Sequence, residues 1–391
     1  MAKMVIGDGN NFSERYVSPV DYGYATRRIH GTDRFVAIWE DINGVEYDRD
    51  IFAGSGLTYT NGIPSGGTIT SWTDMHAGRA LVKITGLDYT GANLGAYQSY
   101  SYMLRGDDII NGGNGDDQIN GYLGADVIRG NDGNDYIITS SIAFTDDGSN
   151  DKAYGGNGND NLIGHQGDVL VGGAGNDTLQ SINGGARLVG GAGDDTYFVT
   201  DGTDVCVEKA GGGTDTLVIS VSTTLSRNFE NLTLNSQAGE HLVGKGNGSA
   251  NRLYSSSGRD TLYGRGGNDI LTGYADDVLV GGAGKDTFLY VSEQDLGDLI
   301  KDFSAAQGDR LRFYSSNFGN LANGKLAAGH FVANPNGVAK DANDYFVFST
   351  KNKTLYWDAD GNGAGAAVKI ARFANGANIT NNDILISNVY V

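Results

Sequence analysis

Residues 112–138 read GGNGDDQIN, GYLGADVIR and GNDGNDYII, which are three consecutive units of nine residues. Glycines open each unit, an aspartate stands at the sixth position and an isoleucine at the eighth. A partial unit with the same spacing precedes them at Gly106, Asp108 and Ile110. A flexible glycine-rich linker needs no aliphatic residue at every eighth position. The period therefore predicts a repeated structural unit.

Each unit supplies one short strand and one turn. The eighth residue, such as Ile128, points inward from the strand, and glycines let the turn adopt positive φ angles. Two units make one coil of about 18 residues, so residues 18 apart are expected to stack. The predicted pairs are Asp108 with Asp126 and Asp117 with Asp135. Carboxylate and carbonyl oxygens bind Ca²⁺ at about 2.3–2.6 Å, so the turns are predicted to bind calcium.

The pattern G-G-x-G-x-D-x-U-x, in which U is a large aliphatic residue, resembles the repeat of secreted bacterial RTX proteins, the hemolysin-type calcium-binding repeat family. The resemblance implies an all-β chain with a parallel β-roll that binds several Ca²⁺ ions. It also implies export by the type I secretion machinery, guided by an uncleaved C-terminal signal, and an extracellular location. Because cytosolic Ca²⁺ is scarce, the acidic turns would repel one another and the chain would stay unfolded until export.

Further units follow in two more blocks. The first block ends at residue 138, and an insert, SSIAFTDDGSND at 140–151, is predicted to be a loop that leaves the roll. The second block consists of units 155–163, 164–171, 172–180, 181–189 and 190–198, and the third of 255–263, 264–272, 273–280 and 281–289. Units 164–171 and 273–280 have eight residues and both end in DVLV. Residues 199–250 keep strand patterns without the repeat and predict irregular coils.

The aspartates of these blocks extend the predicted stacks. Asp160 and Asp177 are one residue closer in sequence than the regular spacing and are still expected to stack. The other expected pairs are Asp260 with Asp277 and Asp269 with Asp286. Unit 181–189 has Ala186 in place of the carboxylate, so its site is predicted to be weak or missing. The predicted calcium ligands of the repeats are Asp108, Gly113, Gly115, Asp117, Gly124, Asp126, Gly133, Asp135, Gly156, Gly158, Asp160, Asp168, Gly173, Gly175, Asp177, Gly191, Gly193, Asp195, Asp260, Gly267, Asp269, Asp277, Gly282, Gly284 and Asp286.

A separate acidic loop, DADGNG, lies at residues 358–363. It resembles the start of a calcium loop, with Asp358, Asp360 and Asn362 as oxygen donors. Lys369 stands where an EF-hand has its acidic twelfth residue, and no helix is predicted on either side. Asp358 and Asp360 are therefore candidate calcium ligands, with a polar turn as the alternative.

Composition favours ion binding in turns. The chain has 391 residues, 62 glycines, three prolines and a formal net charge of −19. Seven of its 47 acidic residues are glutamate and 40 are aspartate. This charge balance disfavours nucleic acid as a partner, because phosphate binding needs basic patches. The single cysteine, Cys206, excludes an intramolecular disulfide. The N-terminus has no secretory h-region, and no apolar run is long enough for a membrane span.

The chain is predicted to hold five segments. They are a small β domain at 1–100, roll blocks one and two at 101–200, an irregular β connection at 201–250, roll block three at 251–289, and a β-sandwich-like C-terminal cap at 290–391. In the first segment RFVAIW (34–39) and ALVKI (80–84) predict antiparallel strands, and Asn61-Gly62 and Gly66-Gly67 predict turns. This segment is interpreted either as a cap over the first coil or as a ligand-binding module.

The last segment carries two further resemblances. LGDLIKDFSAAQGDRLRF at 296–313 is similar to the D-x-I-x-D-F…G-D-x-I segment that follows the last repeat of RTX proteases and their relatives. The final residues, NNDILISNVYV at 381–391, are similar in kind to type I secretion signals. The alternative is that they form the last strand of the cap.

No catalytic motif is recognisable. The five histidines, which are His30, His76, His165, His241 and His330, include no H-E-x-x-H pair, which excludes zinc hydrolysis of that type. Ser55 and Ser65 stand at the wrong offset for a G-x-S-x-G nucleophile elbow. Carboxylate pairs of a glycosidase cannot be recognised among 40 aspartates. The long apolar helical segments of pore-forming RTX toxins are also missing.

The sequence therefore predicts a non-enzymatic, extracellular calcium-binding protein with an adhesion or structural role at the cell surface or in the matrix. A cell-surface polysaccharide or another surface component is the expected partner. The alternative is a small secreted enzyme or ligand-binding module in residues 1–100, with the rolls serving export and folding.

Overall fold

The computed structural model describes residues 107–140, 147–274 and 276–389, together with six strands among the first 90 residues. Contacts divide the chain into two compact units: Met1–Phe198 with Thr203–Gly213, and Val199–Gly202 with Thr214–Val391. Regular structure in the described ranges is β-strand, apart from four short 3₁₀ turns, so the predicted all-β class is confirmed. The 3₁₀ turns are Glu293–Asp295, Ser315–Asn317, Ala328–His330 and Asn381–Asp383.

Within the described ranges, no helix has the length and apolar character that crossing a membrane requires.

The strands of the first unit are β1 (Lys3–Ile6), β2 (Arg27–His30), β3 (Arg34–Glu40), β4 (Glu46–Thr60), β5 (Ile63–His76), β6 (Arg79–Thr90), β7 (Ile109–Asn111), β8 (Gln118–Asn120), β9 (Val127–Asp132), β10 (Tyr136–Ile138), β11 (Lys152–Asn157), β12 (Asn161–Gly164), β13 (Val169–Ala174), β14 (Thr178–Ser181), β15 (Arg187–Ala192), β16 (Thr196–Val199) and β17 (Val205–Val207). The first sheet has the order β17-β15-β13-β11-β9-β7-β1-β6-β5-β4-β3-β2. The second sheet holds β16-β14-β12-β10-β8 in this unit.

The roll of the first unit runs from β7 to β17, and its strands alternate between the two sheets. Neighbours in each sheet are parallel and lie one coil apart. Ile110 pairs with Ile128 across a coil of two full units. Leu162 pairs with Leu179 across a coil that is one residue shorter, because one of its units has eight residues. The predicted parallel β-roll is thus confirmed.

The eighth-position residues form the core of this roll. They are fully buried or nearly so, and each would stabilise the fold by about 1.5–3 kcal/mol through burial. Ala153 takes this position in the coil that contains the insert. The core residues are Ile110, Ile119, Ile128, Ile137, Leu162, Leu170, Leu179, Leu188 and Tyr197.

The insert lengthens one coil without breaking its register, because Val127 of β9 still pairs in parallel with Lys152 of β11. Residues 141–146 lie outside the described residues. The rest of the insert belongs to the turn, because Gly124 donates a backbone hydrogen bond to Asp147 Oδ2 (2.7 Å) and Asp126 donates one to Asp151 Oδ1 (2.7 Å). The prediction that the whole insert leaves the roll is therefore wrong at its C-terminal end.

The predicted antiparallel strands of the N-terminal segment are confirmed. β2 to β6 pair antiparallel in sequence order, and β3 and β6 contain the two predicted stretches. Gly66 and Gly67 lie within β5, so the predicted turn there is wrong. The register between β4 and β5 shifts next to Thr58 and Gly66, in keeping with glycines that mark a bulge. Asn61 and Gly62 lie outside the described residues.

Strand β1 connects this antiparallel sheet to the roll. It pairs antiparallel with β6 and parallel with β7. The edge of β7 is thereby covered, as expected for a cap over the first coil.

The strands of the second unit are β18 (Thr216–Ile219), β19 (Thr223–Thr224), β20 (Asn231–Leu234), β21 (Val243–Lys245), β22 (Arg252–Ser255), β23 (Thr261–Gly266), β24 (Ile270–Thr272), β25 (Val278–Ala283), β26 (Thr287–Tyr290), β27 (Asp298–Ile300), β28 (Arg310–Tyr314), β29 (Gly324–Lys325), β30 (Phe331–Asn334), β31 (Phe346–Ser349), β32 (Thr354–Trp357), β33 (Val368–Phe373) and β34 (Ile384–Ser387). Within this unit we call β29-β34-β28-β26-β24-β22-β20-β18 the third sheet and β19-β21-β23-β25-β27-β33-β32-β31-β30 the fourth sheet.

The coils of the second unit vary in length. Asn231 of β20 pairs with Thr216 of β18 across a short coil and with Arg252 of β22 across a long one. Arg252 in turn pairs with Ile270 of β24 across a coil of regular length. The paired strands from β18 to β28 are all parallel, so the predicted irregular coils between blocks are confirmed. Residue 275, in the second eight-residue unit, lies outside the described residues.

The C-terminal cap extends both sheets of the second unit. β28 and β34 pair in parallel in the third sheet, while β31, β32 and β33 form an antiparallel meander in the fourth. Aromatic side chains pack between the sheets: the rings of Phe313 and Phe346 are 4.8 Å apart, and Tyr290 stacks on Phe313 at 5.1 Å. The expected sandwich-like packing is present, and Ile384–Ser387 is its last strand.

Candidate calcium-binding turns

The turns of the first unit lie along two edges. The first edge holds the turns that lead from the first sheet to the second, and they end at Asp117, Asp135, Asp160, Asp177 and Asp195. The second edge holds the turns that lead back, and they end at Asp108, Asp126, Asp151, Asp168, Ala186 and Asp204. The first edge carries the G-G-x-G-x-D sequences with least variation.

Each aspartate receives a backbone hydrogen bond from the residue one coil earlier. On the first edge, Asp117, Asp135, Asp160 and Asp177 each donate N–H to Oδ1 of the next aspartate, at 2.8–2.9 Å. On the second edge, the Asp108 and Asp126 N–H groups do the same at 2.7 Å. The stacking predicted from the period is therefore confirmed, including the pair with the shortened spacing.

The second carboxylate oxygen faces the first glycine of its own turn. A Cβ atom added to Gly172 would lie 2.2 Å from Asp177 Oδ2, and one added to Gly155 would lie 2.1 Å from Asp160 Oδ2. Among the described residues, several of these buried Oδ2 atoms accept no hydrogen bond, which a carboxylate tolerates poorly. They belong to Asp126, Asp135, Asp160, Asp177, Asp269 and Asp286.

Burial of these carboxylates raises their affinity for protons. It raises the pKa of Asp126 to about 9, helped by the charges of Asp151, Asp108 and Asp147. Burial likewise raises the pKa of Asp135 and of Asp177 to about 7. An acid in this state holds a proton or needs a cation beside it. Hard oxygens that lack donors, in turns with no room for a Cβ, therefore fit Ca²⁺.

The second unit repeats the arrangement along two further edges. On the third edge, from the fourth sheet to the third, Asn251 and Asp269 donate N–H to Oδ1 of Asp269 and Asp286 at 2.8 and 3.0 Å. On the fourth edge, from the third sheet to the fourth, Asp260 donates N–H to Asp277 Oδ1 at 2.6 Å. Both predicted pairs are confirmed as stacked. Burial raises the pKa of Asp269 to about 7 and of Asp286 to about 6.

Acids outside the repeats complete the last coils of the second unit. Asp277 donates N–H to Asp298 Oδ1 (3.1 Å) and Asp286 donates to Asp309 Oδ1 (3.0 Å). Asp302 accepts hydrogen bonds from the backbone N–H groups of Gly281 and Gly282. These three acids were missed as site residues. All three lie in segment 296–313, and its resemblance to the segment that follows the last repeat of RTX proteases is the sequence signal that points to them.

Two acids of the first unit were also missed. Asp151 stands one coil after Asp126 but lies at the end of the insert. Asp204 lies beyond the last repeat and accepts the Ala186 N–H at 2.9 Å and the Ser181 hydroxyl at 2.8 Å. Ala186 itself offers no carboxylate, as predicted. The stack on the second edge nevertheless resumes one coil later.

The last coil of the first unit contains a buried glutamate that the sequence did not single out. The hydroxyl of Tyr197 donates a hydrogen bond to Glu208, and Asp195 lies near enough for its charge to act on Glu208. Burial, above all, raises the pKa of Glu208. Glu208 is therefore a candidate oxygen ligand of the same kind beside the predicted ligand Asp195.

The loop DADGNG lies in the cap, away from the stacked turns. Asp358 is buried, and its Oδ1 is among the described atoms without a hydrogen-bond partner. Asp360 Oδ2 accepts the Gly365 N–H at 2.9 Å. Burial and then the neighbouring Asp360 carboxylate raise the pKa of Asp358. The role of this pair in calcium binding stays a prediction.

A family model described as the RTX calcium-binding nonapeptide repeat (4 copies) matches residues 104–137, 144–168, 167–181, 187–206, 245–276 and 272–289. The chain is an RTX-repeat protein. The matched segments contain the stacked aspartates of both units, and the fold around them is the parallel roll. No curated protein matches the chain. The RTX-repeat protein therefore binds Ca²⁺ through its repeats, and the part played by each named ligand stays a prediction.

The stacked turns and the cap loop are expected to differ in calcium affinity. Asp126→Ala should weaken calcium uptake by about tenfold or more, or about 1.4 kcal/mol. Asp126 presents its oxygen without a donor within a stack that includes Asp108 and Asp151, whereas the Asp358 oxygen without a donor lies outside the stacked turns. Asp358→Ala should have the smaller effect. Calorimetric titration of both variants and the natural protein measures this difference, and equal losses would contradict the ranking of the sites.

Without calcium, the fold is expected to become less stable as the pH rises. The unfolded chain releases aspartate protons near the ordinary value of 3.8, whereas pKa values of about 6–9 hold them in the folded state. Between these limits the folded state binds more protons, so the free energy of unfolding falls with rising pH. The far-UV β signal of calcium-free protein should therefore grow as the pH is lowered from about 8 to about 5.

The calcium-loaded protein serves as the control and should show the opposite trend. There the aspartates are ionised, and protons compete with Ca²⁺ as the pH falls. The assignment of the raised pKa values to the folded turns would be refuted if calcium-free protein had more β structure at about pH 8 than at about pH 5.

Proposed function

We propose that this RTX-repeat protein is exported by type I secretion, folds when it meets Ca²⁺ outside the cell, and acts there as a non-enzymatic adhesion or structural component. The observation that carries the proposal is the row of buried aspartate oxygens without donors among the described residues. Such rows need a cation at millimolar concentration, which the extracellular medium supplies and the cytosol does not. Calcium then acts as part of the fold.

The charge of the chain supports the same location. A net charge of −19 with 40 aspartates disfavours a compact state in a calcium-poor compartment. Bound Ca²⁺ neutralises the turns and makes each stack of coils rigid, as an extended surface component requires. The residues 381–391 remain the candidate secretion signal, and their strand Ile384–Ser387 would form after export.

A surface role is tested by co-sedimentation. Refolded, calcium-loaded protein is mixed with cell envelopes of the producing organism or with its purified polysaccharide, and pelleted with and without chelator. Matched samples with Mg²⁺ in place of Ca²⁺ control for general charge bridging. Calcium-dependent pelleting is expected. Protein that stays in the supernatant under all conditions would overturn the adhesion role.

The second candidate function is a small secreted enzyme or ligand-binding module in residues 1–100. The support for it is the long antiparallel sheet β2–β6, which is larger than covering one strand edge requires. In the co-sedimentation test this module would leave the protein in solution, and a substrate screen on the full chain would then show turnover. His30 and His76 are the first positions to substitute in that event.

A further inference from the structure

Two aspartates of the stacks each accept two hydrogen bonds on Oδ2, whereas Asp117 and Asp277 accept one there from a backbone N–H group. Asp168 Oδ2, on the second edge, accepts the Thr139 hydroxyl at 2.6 Å and the His165 backbone N–H at 2.8 Å. Asp260 Oδ2, on the fourth edge, accepts the hydroxyls of Ser236 at 2.6 Å and Ser255 at 2.7 Å. Both carboxylates are buried, so these bonds are made away from solvent.

Their remaining oxygens make the contacts of an ordinary stack. Asp168 Oδ1 accepts the Asp151 N–H at 2.9 Å, and Asp260 Oδ1 accepts the Leu242 N–H at 2.6 Å. The position of the carboxylate in the coil is thus unchanged. The difference lies in Oδ2, the atom that has no donor in Asp160, Asp177, Asp269 and Asp286 within the described chain.

The residues that supply the donors replace glycine-rich turn sequence. Unit 164–171 lacks one residue, and His165 stands where other units have their second glycine. The buried His165 ring reaches Ser140, with Nδ1 2.9 Å from Oγ. In the other turn, Ser255 stands where the first glycine belongs, and Ser236 comes from the previous coil. Both turns therefore carry a side chain at a position where other units have glycine.

A carboxylate Oδ2 that accepts two hydrogen bonds cannot also bind a cation. Each donor points a hydrogen with partial positive charge at the oxygen, and a Ca²⁺ ion at bonding distance would meet those hydrogens. The His165 donor is a backbone N–H and cannot turn away. Two to three hydrogen bonds also stabilise an ionised carboxylate without a metal.

We infer that the turns at Asp168 and Asp260 bind no calcium and that hydroxyl and backbone donors take the place of the ion there. Calcium binding then continues along the first and third edges and is interrupted on the second and fourth. Each of the two compact units has a donor-closed turn of this kind. This inference concerns where the ions lie and does not depend on the proposed surface role.

The test compares Asp260→Asn with Asp269→Asn, which alter two turns of the same block. The Asp260→Asn side chain keeps the Leu242 contact through its carbonyl oxygen, and its NH₂ group faces hydroxyls that rotate to accept from it. Ser236 and Ser255 both also have the Ser257 carbonyl as an acceptor. The Asp269→Asn side chain instead places an NH₂ group where a metal ligand is needed. Calcium bound per chain is measured by elemental analysis after equilibrium dialysis at saturating Ca²⁺.

The expected result is that Asp269→Asn loses at least one ion per chain and Asp260→Asn loses none. An equal loss in the two variants would overturn the inference, as would a loss confined to Asp260→Asn. Where a variant fails to fold, the natural protein decides: anomalous scattering from calcium-loaded crystals should show ions at the Asp269 and Asp286 turns. An ion bonded to Asp168 or Asp260 would overturn the inference.

Discussion

Chelation of calcium at pH ~8 is expected to remove most of the β structure of this RTX-repeat protein, and millimolar Ca²⁺ is expected to restore it. The physical reason is the cost of ionised, buried aspartates. A pKa raised from 3.8 to about 7, as at Asp135 and Asp177, costs about 4 kcal/mol per group at this pH. Two or three such groups match the whole stability of a typical domain, about 5–15 kcal/mol.

The core alone does not compensate for this cost. A typical coil buries two large apolar side chains, such as Leu170 and Leu179, and glycine-rich turns lose much backbone entropy on folding. Far-UV circular dichroism during titration of chelated protein with Ca²⁺ measures the transition. Mg²⁺ is the matched control, because its preference for a small octahedral shell suits these turns poorly. A spectrum that chelator leaves unchanged would refute the coupling of binding to folding.

The second large effect is expected when alanine replaces a glycine in a turn and so adds one methyl group. Gly175 has φ +123°, and a Cβ added to it would lie 2.1 Å from the Gly158 carbonyl oxygen of the neighbouring coil. That neighbour is backbone, so the stack itself must shift. Gly175→Ala should therefore lower the free energy of unfolding by about 3 kcal/mol or more in saturating Ca²⁺.

Gly211→Ala is the matched control for this substitution. Gly211 also has a positive φ, +76°, but no described atom beyond its two chain neighbours lies within 4 Å of its added Cβ. Alanine there costs only the strain of the backbone angle, about 1–2 kcal/mol. Chemical denaturation of both variants separates the two costs. Similar losses would show that the coils do not stack as closely as the structure indicates.

The roll could be predicted from sequence because each unit repeats a local rule. An aliphatic residue in each strand and a glycine-opened turn fix both the strand and its neighbour one coil away. Asp160 and Asp177 stack although one residue is missing between them, because the turn absorbs the change while the strand register is kept. The predicted class and stacks were therefore correct.

Predictions failed where a long-range contact replaced the local rule. Asp151 lies at the end of an insert and Asp204 lies after the last repeat of the second block, so neither is surrounded by the repeat pattern. The Gly66-Gly67 pair predicts a turn, yet both glycines lie within β5, and Gly66 pairs with Thr58 of the neighbouring strand β4. One hydroxyl donor on each donor-closed turn, that of Thr139 or of Ser236, comes from the coil before, which no nine-residue pattern specifies.

The hydrogen bonds that the stacked carboxylates accept from neighbouring coils share one direction along the chain. In each unit the N–H of an aspartate is satisfied by a carboxylate that comes later in the chain, as with Asp160 and Asp177 or Asp269 and Asp286. If a coil folds before the coil that follows it, its aspartate N–H has no carboxylate to donate to. If the following coil has already folded, the carboxylate acceptor is in place. The aspartate bonds alone therefore favour growth of each stack from its C-terminal end, while backbone bonds such as that from the Thr178 N–H to the Asp160 carbonyl oxygen run in the opposite direction. In the second unit, the acids that follow the last repeat supply the first acceptors.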